Sequence, residues 1–465
     1  MQDDHMERMS GLDAGFFFAE SETTPLHIAS VTVFEGPAPT YGEVVRAVVA
    51  KLPRVPRYRQ RVRTVPLNLG RPVWVDDPHF QILYHVRHTA VPAPGDPEQL
   101  RNLAGRVLSQ RLDKAKPLWE VWLVEGLADG RWALITKVHH CVVDGVGGVD
   151  LLTTLFDLER EPEPPEEPAE LPKAAAAPSS AALLASGLRD QVAGPLRQVA
   201  RAPELARGLI SGRTLRTVGV EFPRALGRIA RPTTGSLNGP LGPHRRWMWT
   251  HADLDEIRRI RKAFGGTVND VILAAVTAGF RRVLAERGEL AGGTLVRTLV
   301  PVSVRTGDQH GEVGNRVSGV LVNLPAGEED PRRRLFQIRR QMNDVKRTHQ
   351  AVGGEVLAGL AGFAPTLLAL GSRYALSHAQ PLVQTVVTNV PGPPFPLYVL
   401  GRRLEGLYPF VPLAAGVRAG VAIFSYEGRL TFGLTGDFDG MPDLDVLADG
   451  IRAGFGELAG LADGD

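Results

Sequence analysis

Apolar and polar residues along this 465-residue chain follow patterns that predict both strands and helices. In the first 157 residues, continuous apolar runs predict strands from Ile28 to Phe34 and from Arg131 to Val138. Apolar positions at helical spacing predict helices from Tyr41 to Leu52 and from Pro97 to Leu112. We therefore expect an α/β domain in this part of the chain.

The second half repeats this pattern from about Arg245 onward. Val268 to Ala285 is predicted to form a long helix. Five further segments predict strands, at Leu295 to Val304, Val317 to Leu324, Leu382 to Asn389, Gly420 to Tyr426 and Leu430 to Thr435. Because the chain is too long for one typical core, we expect two α/β domains of similar size.

Between the two halves the composition changes twice. Residues 157–168 are acidic and dense in proline, which predicts a semi-rigid, solvated linker. Residues 181–231 carry nine arginines beside apolar residues at helical spacing. These arginines are either solvated or paired in a connector, or they form a docking surface for anionic lipid headgroups or acyl-CoA phosphates. The predicted division is residues 1–157, a connector at 158–240, and residues 241–465.

Bulk composition limits the classes of function. The chain is 43% hydrophobic and 22% charged, as in a soluble globular protein, and its net charge of +2 does not predict a nucleic-acid partner. The single cysteine excludes an intrachain disulfide, and the acidic N-terminus lacks the pattern of a secretion signal, so we expect a cytoplasmic protein. Residues 356–370 form the longest weakly polar run, which is too short to span a bilayer. This run predicts a buried core helix or, alternatively, a shallow interfacial helix.

The most informative motif is His139-His140-Cys141-Val142-Val143-Asp144-Gly145, at the end of a predicted buried strand. Neighbouring strand residues point to opposite faces, so only one of the two imidazoles can face a given cavity. An imidazole titrates near neutral pH and suits proton abstraction. Asp144 could return to fix the loop or the imidazole tautomer, and Gly145 permits the turn.

Other interpretations of this motif are weaker. The histidines could be packing residues, but the Asp-Gly at fixed offset argues against that alone. Adjacent residues rarely ligate one metal together, so a zinc site is not favoured. Cys141 adjoins His140 in sequence, which is not the spatial arrangement of a Cys–His dyad, and its apolar neighbours predict a buried thiol.

Two missing motifs narrow the chemistry. No Gly-x-Ser-x-Gly elbow supports a serine hydrolase, and no Gly-x-x-x-x-Gly-Lys loop supports phosphate transfer. A base without an evident nucleophile indicates direct transfer, in which a histidine activates a hydroxyl or amine that attacks an activated acyl group.

The histidine motif resembles the His-His-x-x-x-Asp-Gly motif of the CoA-dependent acyltransferase superfamily. Further segments resemble one branch, the bacterial wax ester synthase/diacylglycerol acyltransferases. They follow the order of that family's motifs, at Met9 to Ala14, Pro117-Leu118-Trp119, Asn269-Asp270, Pro301 to Arg305 and Asn389 to Pro393. Gly147 departs from the pattern, because many members have a small hydroxyl residue there. The connector is not covered by any motif.

The resemblance implies two chloramphenicol acetyltransferase-like domains, each an α/β two-layer sandwich, with a tunnel between them. It implies that His140 is the general base, with His139 and Asp144 as structural members of the catalytic motif. The substrates would be acyl-CoA and a long-chain alcohol or diacylglycerol, with neither cofactor nor metal. Such an enzyme would work at the inner face of the membrane or on lipid inclusions.

Four residues are candidates for substrate binding. Asn269 and Asp270 begin an apolar helix, so capping alone explains them, although a helix N-terminus can also stabilise an oxyanion. Trp119 is predicted first as buried packing and second as a wall of the acyl or alcohol channel, and Gly145 shapes the active-site turn.

Two rival functions remain at this stage. One is a condensation-type or polyketide-associated acyltransferase acting on a carrier-bound acyl group. The other is a catalytically silent protein of lipid surfaces. The absence of a carrier domain and the Pro-Leu-Trp and Asn-Val-Pro-Gly-Pro matches count against the first. Substitution of His140 separates the second from an enzyme.

Overall fold

The computed structural model describes residues 7–143, 154–161, 173–189, 235–303, 317–351 and 383–464. The strands in these ranges are β1 (Glu7–Arg8), β2 (His27–Phe34), β3 (Gln60–Arg63), β4 (Val73–Asp76), β5 (Val86–Ala90), β6 (Trp119–Glu125), β7 (Trp132–His139), β8 (Arg245–Asp253), β9 (Val296–Ser303), β10 (Val317–Leu324), β11 (Thr385–Val390), β12 (Tyr398–Val399), β13 (Arg402–Phe410), β14 (Ala419–Tyr426) and β15 (Arg429–Asp437). The helices are α1 (Gly11–Ala19), α2 (Tyr41–Lys51), α3 (Ile82–His85), α4 (Pro97–Ser109), α5 (His140–Val143), α6 (Leu254–Phe264), α7 (Val268–Glu286), α8 (Pro331–Ala351) and α9 (Leu444–Asp463).

The first six-stranded sheet has the order β12-β13-β2-β7-β6-β5, and only the β5–β6 pair is parallel. Every residue of the central strand β7 is buried, because both faces of the sheet are covered by apolar clusters. This explains the continuous apolar run that predicted β7. A separate three-stranded sheet has the order β1-β4-β3.

The second six-stranded sheet has the order β10-β9-β11-β14-β15-β8. Strand β11 is parallel to both β9 and β14, and the other pairs are antiparallel. Helices α7 and α9 cover it and pack closely through glycines. A Cβ added at Gly450 would lie 2.7 Å from the Cα of Gly279. The two helix backbones can approach this closely only because both positions lack side chains.

Strands β12 and β13 come from the last third of the chain but belong to the first sheet. Strand β13 pairs along β2, with Phe410 opposite Ala29. Phe410 and Trp247 join the apolar cluster beneath this sheet, and the Trp247 indole N–H donates to the carbonyl of Pro409 at 3.2 Å. The sequence analysis assigned residues 241–465 to a second domain and did not anticipate that two strands of this range belong to the first sheet. The predicted domain boundaries stay a prediction.

Most predicted elements agree with the observed ones within a few residues. β10 has the predicted bounds, α7 ends one residue later than predicted, and β7 is shifted by one residue. Residues 180–189 are helical, which covers the start of the predicted basic helix. The rest of that segment and the run at 356–370 lie outside the described residues.

No single helix among the described residues has both the length and the apolar character needed to cross a membrane. The bent pair α6 and α7 meets these criteria jointly, by length and composition only, with an angle of 101° between the two helices. Thirteen residues of α7 are buried in the protein, as expected for a core helix.

Candidate active site

The histidine motif begins where β7 ends. The backbone amide of His139 donates to the carbonyl of Leu118 at 3.0 Å, and that of His140 donates to the carbonyl of Leu26 at 2.9 Å. His139 is the last strand residue, and His140 is the first residue of the short helix α5. The change from strand to helix sends the two side chains into different surroundings, so His139 is fully buried and His140 is half-buried.

His139 is held as a neutral imidazole. Its Nδ1 accepts the backbone N–H of Cys141 at 3.2 Å and lies 2.9 Å from the Cys141 Sγ. Burial lowers the pKa of His139 to about 3, and the positive charge of Lys114 acts in the same direction. Its Nε2 faces the Glu20 carboxylate, with 3.8 Å between Nε2 and Oε1. This ring therefore supports the loop and is not suited to proton exchange near neutral pH.

His140 is the more accessible of the two imidazoles. The ring of Phe16, from α1, stacks on it with a centroid separation of 4.1 Å and an interplanar angle of 27°. Its backbone is tied to Leu26, as described above. One face of the imidazole is thus fixed against an aromatic ring, which restricts its orientation.

The thiol of Cys141 is fully buried. Burial raises its pKa, and the nearby negative charge of Asp13 adds to the effect. A thiol of this kind is not a nucleophile at neutral pH, in agreement with the inert cysteine predicted from the sequence. Asp144 and Gly145, the remaining predicted members of the motif, lie outside the described residues.

Two motifs that are distant in sequence meet at the start of α7. The Asn389 side-chain amide, in β11, donates to the Oδ1 of Asn269 at 3.5 Å. Thr267 is the N-cap, and its hydroxyl and the carboxylate of Asp270 form a capping box. The sequence analysis explained both Asn269 and Asp270 by capping. Asp270 does take part in the cap, whereas Asn269 lies in the first turn of the helix and does not.

Trp119, the first residue of β6, is packed inside the first domain. Its side chain is buried, its indole N–H donates to the carbonyl of Tyr58 at 2.7 Å, and its ring stacks on His85 at 4.6 Å. These contacts account for the residue as packing, and a contact with substrate stays a prediction.

A buried ion pair joins strands β8 and β15. Arg245 lies 3.7 Å from Asp437, and the Asp437 carboxylate also accepts the backbone amides of Gly242 and Gly440 at 2.8 Å each. Arg245 donates in addition to the carbonyl of Thr23, in the first domain. These contacts compensate for the burial of the Asp437 carboxylate, and Arg245 links the two domains.

Among the described residues, the histidines are part of neither a group of metal ligands nor the lining of the described pocket. Within the ranges that the structure describes, no three His, Cys, Asp or Glu side chains are grouped as metal ligands. A pocket of about 680 Å³ lies near the opposite end of α7, and its lining includes Arg281 and Arg333 but none of the predicted site residues.

The sequence did not identify Phe16, Glu20 or Lys114 as neighbours of the histidines. All three lie at least 25 residues from His139 along the chain, and contacts of this kind depend on the way α1 packs against α5. The three consecutive phenylalanines in α1 were an available signal, because an uninterrupted aromatic run predicts a helix packed into the protein on more than one side.

Comparison with known families gives matches over nearly the whole chain. Residues 9–272 match the wax ester synthase/diacylglycerol acyltransferase catalytic domain, and residues 313–459 match the WS/DGAT C-terminal domain. A probable diacylglycerol O-acyltransferase of Mycobacterium tuberculosis (strain ATCC 25618 / H37Rv) is 36% identical over 473 residues, covering 98% of this chain and 96% of the relative. A putative diacylglycerol O-acyltransferase of Mycobacterium bovis is 32% identical over 97% of this chain and 99% of the relative.

Solved structures agree with this result. The wax ester synthase/diacylglycerol acyltransferase from Marinobacter aquaeolei VT8 has a TM-score of 0.71 at 26% identity, covering 98% of this chain and 100% of that one. The first condensation domain of the calcium-dependent antibiotic synthetase has a TM-score of 0.61 at 17% identity, with coverage of 99% and 97%, which is a likeness of fold. The predicted fold class, two α/β domains of the CoA-dependent acyltransferase type, is confirmed.

Proposed function

Since the chain belongs to the wax ester synthase/diacylglycerol acyltransferase family and is therefore an acyltransferase, we propose that it moves a long-chain acyl group from acyl-CoA to a hydroxyl. The acceptor is a fatty alcohol, which gives a wax ester, or diacylglycerol, which gives triacylglycerol. The names of the relatives support both acceptors, because the mycobacterial proteins are named for diacylglycerol and the Marinobacter enzyme for both products.

The observation that carries the proposed mechanism is the contrast between the two histidines. His139 is buried with its pKa lowered to about 3, whereas His140 is half-buried and fixed against Phe16. His140 is accordingly the general base, and it accepts the proton of the acceptor hydroxyl. The hydroxyl oxygen forms a bond to the thioester carbonyl carbon, the C–S bond breaks, and the released CoA thiolate takes up the proton held by His140.

The remaining predicted residues have supporting roles in this proposal. Asp144 and Gly145, which lie outside the described residues, keep the structural role that the resemblance implies. The N-terminal turn of α7 offers the backbone N–H and the side-chain amide of Asn269 toward a developing oxyanion, and Asp270 caps that turn. Trp119 stiffens β6, which pairs with the strand that leads into the motif, and borders the substrate channel. The channel is a tunnel between the two domains, open to CoA on one side and to the acceptor on the other.

No metal or cofactor is assigned in this proposal, because a thioester is already activated for acyl transfer. Acceptors of this type are lipids, so the protein works on the inner face of the membrane or on lipid inclusions in the cytoplasm. The nine arginines of residues 181–231 support that location, since basic amphipathic segments bind anionic lipid surfaces.

The proposal is tested with the purified full-length chain and palmitoyl-CoA. Hexadecanol, a diacylglycerol and shorter alcohols are offered separately, and released CoA and the ester product are both measured. We expect acceptor-dependent CoA release that matches ester formation. A protein that releases no CoA with any of these acceptors contradicts the proposed function. Transfer only from an acyl group bound to a carrier protein would identify the condensation-type reaction instead.

A further inference from the structure

Glu20 lies at a junction between the elements that hold the two histidines. It is the C-cap of α1, where its backbone N–H donates to the carbonyl of Phe16 at 3.3 Å. Only 1% of its side chain is exposed. A carboxylate is rarely buried to this extent unless charged partners and hydrogen bonds compensate for its desolvation.

The partners of Glu20 lead directly to the backbone of the base. One carboxylate oxygen, Oε1, accepts the backbone N–H of Leu26 at 3.2 Å, and the carbonyl of Leu26 accepts the backbone N–H of His140 at 2.9 Å. The other oxygen, Oε2, lies 3.0 Å from the Lys114 ammonium, which also donates to the carbonyl of Phe17 at 2.7 Å. The carboxylate thus fixes the segment on which His140 rests.

Glu20 also faces the ring of His139. Because Nδ1 of His139 accepts the N–H of Cys141, a neutral ring carries its hydrogen on Nε2. That Nε2 is buried and has no hydrogen-bond partner among the described residues, and the Glu20 Oε1 lies 3.8 Å from it. The negative charge of a carboxylate at this distance favours the tautomer that carries its hydrogen on Nε2 and keeps Nδ1 available for Cys141.

The charged and titratable groups around His139 come from several elements. Lys114 and His140 each disfavour a positive charge on its ring. His27 stands opposite it in the β2–β7 pair and is also buried. Cys141 contributes a neutral thiol. Glu20 therefore meets a neutral imidazole, and its effect is to select a tautomer.

We propose that Glu20 is a positioning residue for His140. It acts through two links, the Leu26 backbone and the tautomer of His139, and it also ends the helix that carries Phe16. The inference rests on the proposed role of His140 as the base. Misplacement of a catalytic group by about 1 Å can cost roughly 100-fold in rate, so loss of Glu20 is expected to lower kcat and leave substrate binding nearly unchanged.

The test uses Glu20→Ala and Glu20→Gln in the full-length protein. We expect Glu20→Ala to lower kcat by about 10- to 100-fold, with the KM for palmitoyl-CoA changed less than about twofold. Glu20→Gln keeps an oxygen acceptor on a side chain of the same length, so it is expected to keep most of the kcat that Glu20→Ala loses. Glu125 provides the control, because it also contacts a histidine, His88, in the first six-stranded sheet. Glu125→Ala should keep the wild-type kcat.

A second measurement does not depend on catalysis. Nitrogen NMR of histidine-labelled protein, with the His139 signals identified from a His139→Asn variant, reports which ring nitrogen carries the hydrogen. We expect hydrogen on Nε2 in the wild type and in Glu20→Gln, and a mixture of tautomers in Glu20→Ala. If Glu20→Ala does not fold, Glu20→Asp, which is one methylene shorter, replaces it with the same expected loss.

The outcomes separate this inference from the proposed function. Suppose that the wild type is active and His140→Ala is inactive. If Glu20→Ala then keeps the full kcat, Glu20 does not position His140, although His140 is still the base. Equal loss in Glu20→Gln and Glu20→Ala also overturns it, because the acceptor oxygen would then be irrelevant. If the wild type transfers no acyl group, the function fails, and the NMR result alone decides whether Glu20 sets the His139 tautomer.

Discussion

Phe16 stacks on the imidazole of His140, with the two rings 4.1 Å apart and 27° from parallel. Helix α1 reaches the motif from the N-terminal end of the chain, and its contact with α5 places this aromatic ring against the proposed base. The stacking explains how an imidazole at the start of a four-residue helix can keep one orientation.

Substitution of Phe16 by leucine is therefore expected to lower kcat without unfolding the protein. An aromatic pair contributes about 0.5–1.5 kcal/mol beyond its buried area, which corresponds to a roughly three- to tenfold loss if the ring must be oriented to react. Phe18→Leu is the control, because the Phe18 ring is packed edge-on against Phe17. Steady-state CoA release measures both, and equal losses in the two variants would refute a specific role for the stack.

The contact between Asn389 and Asn269 predicts energetic coupling between two separate motifs. A neutral hydrogen bond contributes about 0.5–1.5 kcal/mol, so the combined loss in kcat/KM for the double alanine variant should be smaller than the product of the single losses, by at least about twofold. Asn343, which is exposed on α8, provides the control. The loss in kcat/KM for the Asn343→Ala/Asn389→Ala double variant should equal the product of the two single losses. Multiplicative losses for Asn269 and Asn389 would show that the contact does not matter for the reaction.

Replacing either of two glycines of α9 by alanine is predicted to have opposite effects on the free energy of unfolding. Gly450→Ala places a Cβ 2.7 Å from Gly279 and is expected to destabilise the protein by about 1–3 kcal/mol. Gly456→Ala, in the same helix with no atom within 4 Å of the added Cβ, should stabilise it by about 0.5–1 kcal/mol. Thermal unfolding of both variants tests this. Destabilisation by both would mean that the helix packing is not as described.

Buried histidines predict a loss of stability in acid. Burial lowers the pKa of His85 to about 4 and that of His251 to about 4. Between the ordinary pKa of 6.5 and about 4, the unfolded chain binds more protons than the folded protein. The stabilisation is therefore complete above about pH 6.5 and is lost as the pH falls toward 4.

The thermal midpoint is expected to fall by several degrees between pH 7 and pH 4.5. His85→Gln cannot take up the proton, so it should show a shallower dependence on pH than the wild type. His79→Gln, at an exposed turn, is the control, and its thermal midpoint should change with pH as in the wild type. If the thermal midpoint of His85→Gln also changes with pH as in the wild type, burial of the His85 imidazole does not contribute to acid sensitivity.

The elements of the fold could be predicted where their pattern is local. Strand β7 is an apolar run buried on both faces, and α7 has a long apolar pattern, so both were predicted within one residue. Strand β13 was not predicted, because it mixes charged residues with glycine and proline and its partner β2 lies about 370 residues away. No local pattern specifies a pairing of that kind.

The site was predictable only in part, for the same reason. His139 and His140 were found because the whole motif is contiguous, and the fall in burial from one residue to the next follows from the end of the strand. Glu20 and Phe16 were missed because their roles arise when α1 packs against α5. The Asn269–Asn389 contact joins two motifs that the sequence could identify but could not bring together.

The most direct measurement of the central claim is acyl transfer by His140→Ala, with palmitoyl-CoA and whichever acceptor the wild type uses. We expect CoA release to fall by about 100- to 10,000-fold, the usual contribution of a general base, with the thermal midpoint unchanged. His88→Ala, at an exposed position in the same sheet, should keep wild-type activity. Full activity in His140→Ala would contradict the account, because the acceptor would then lose its proton without His140.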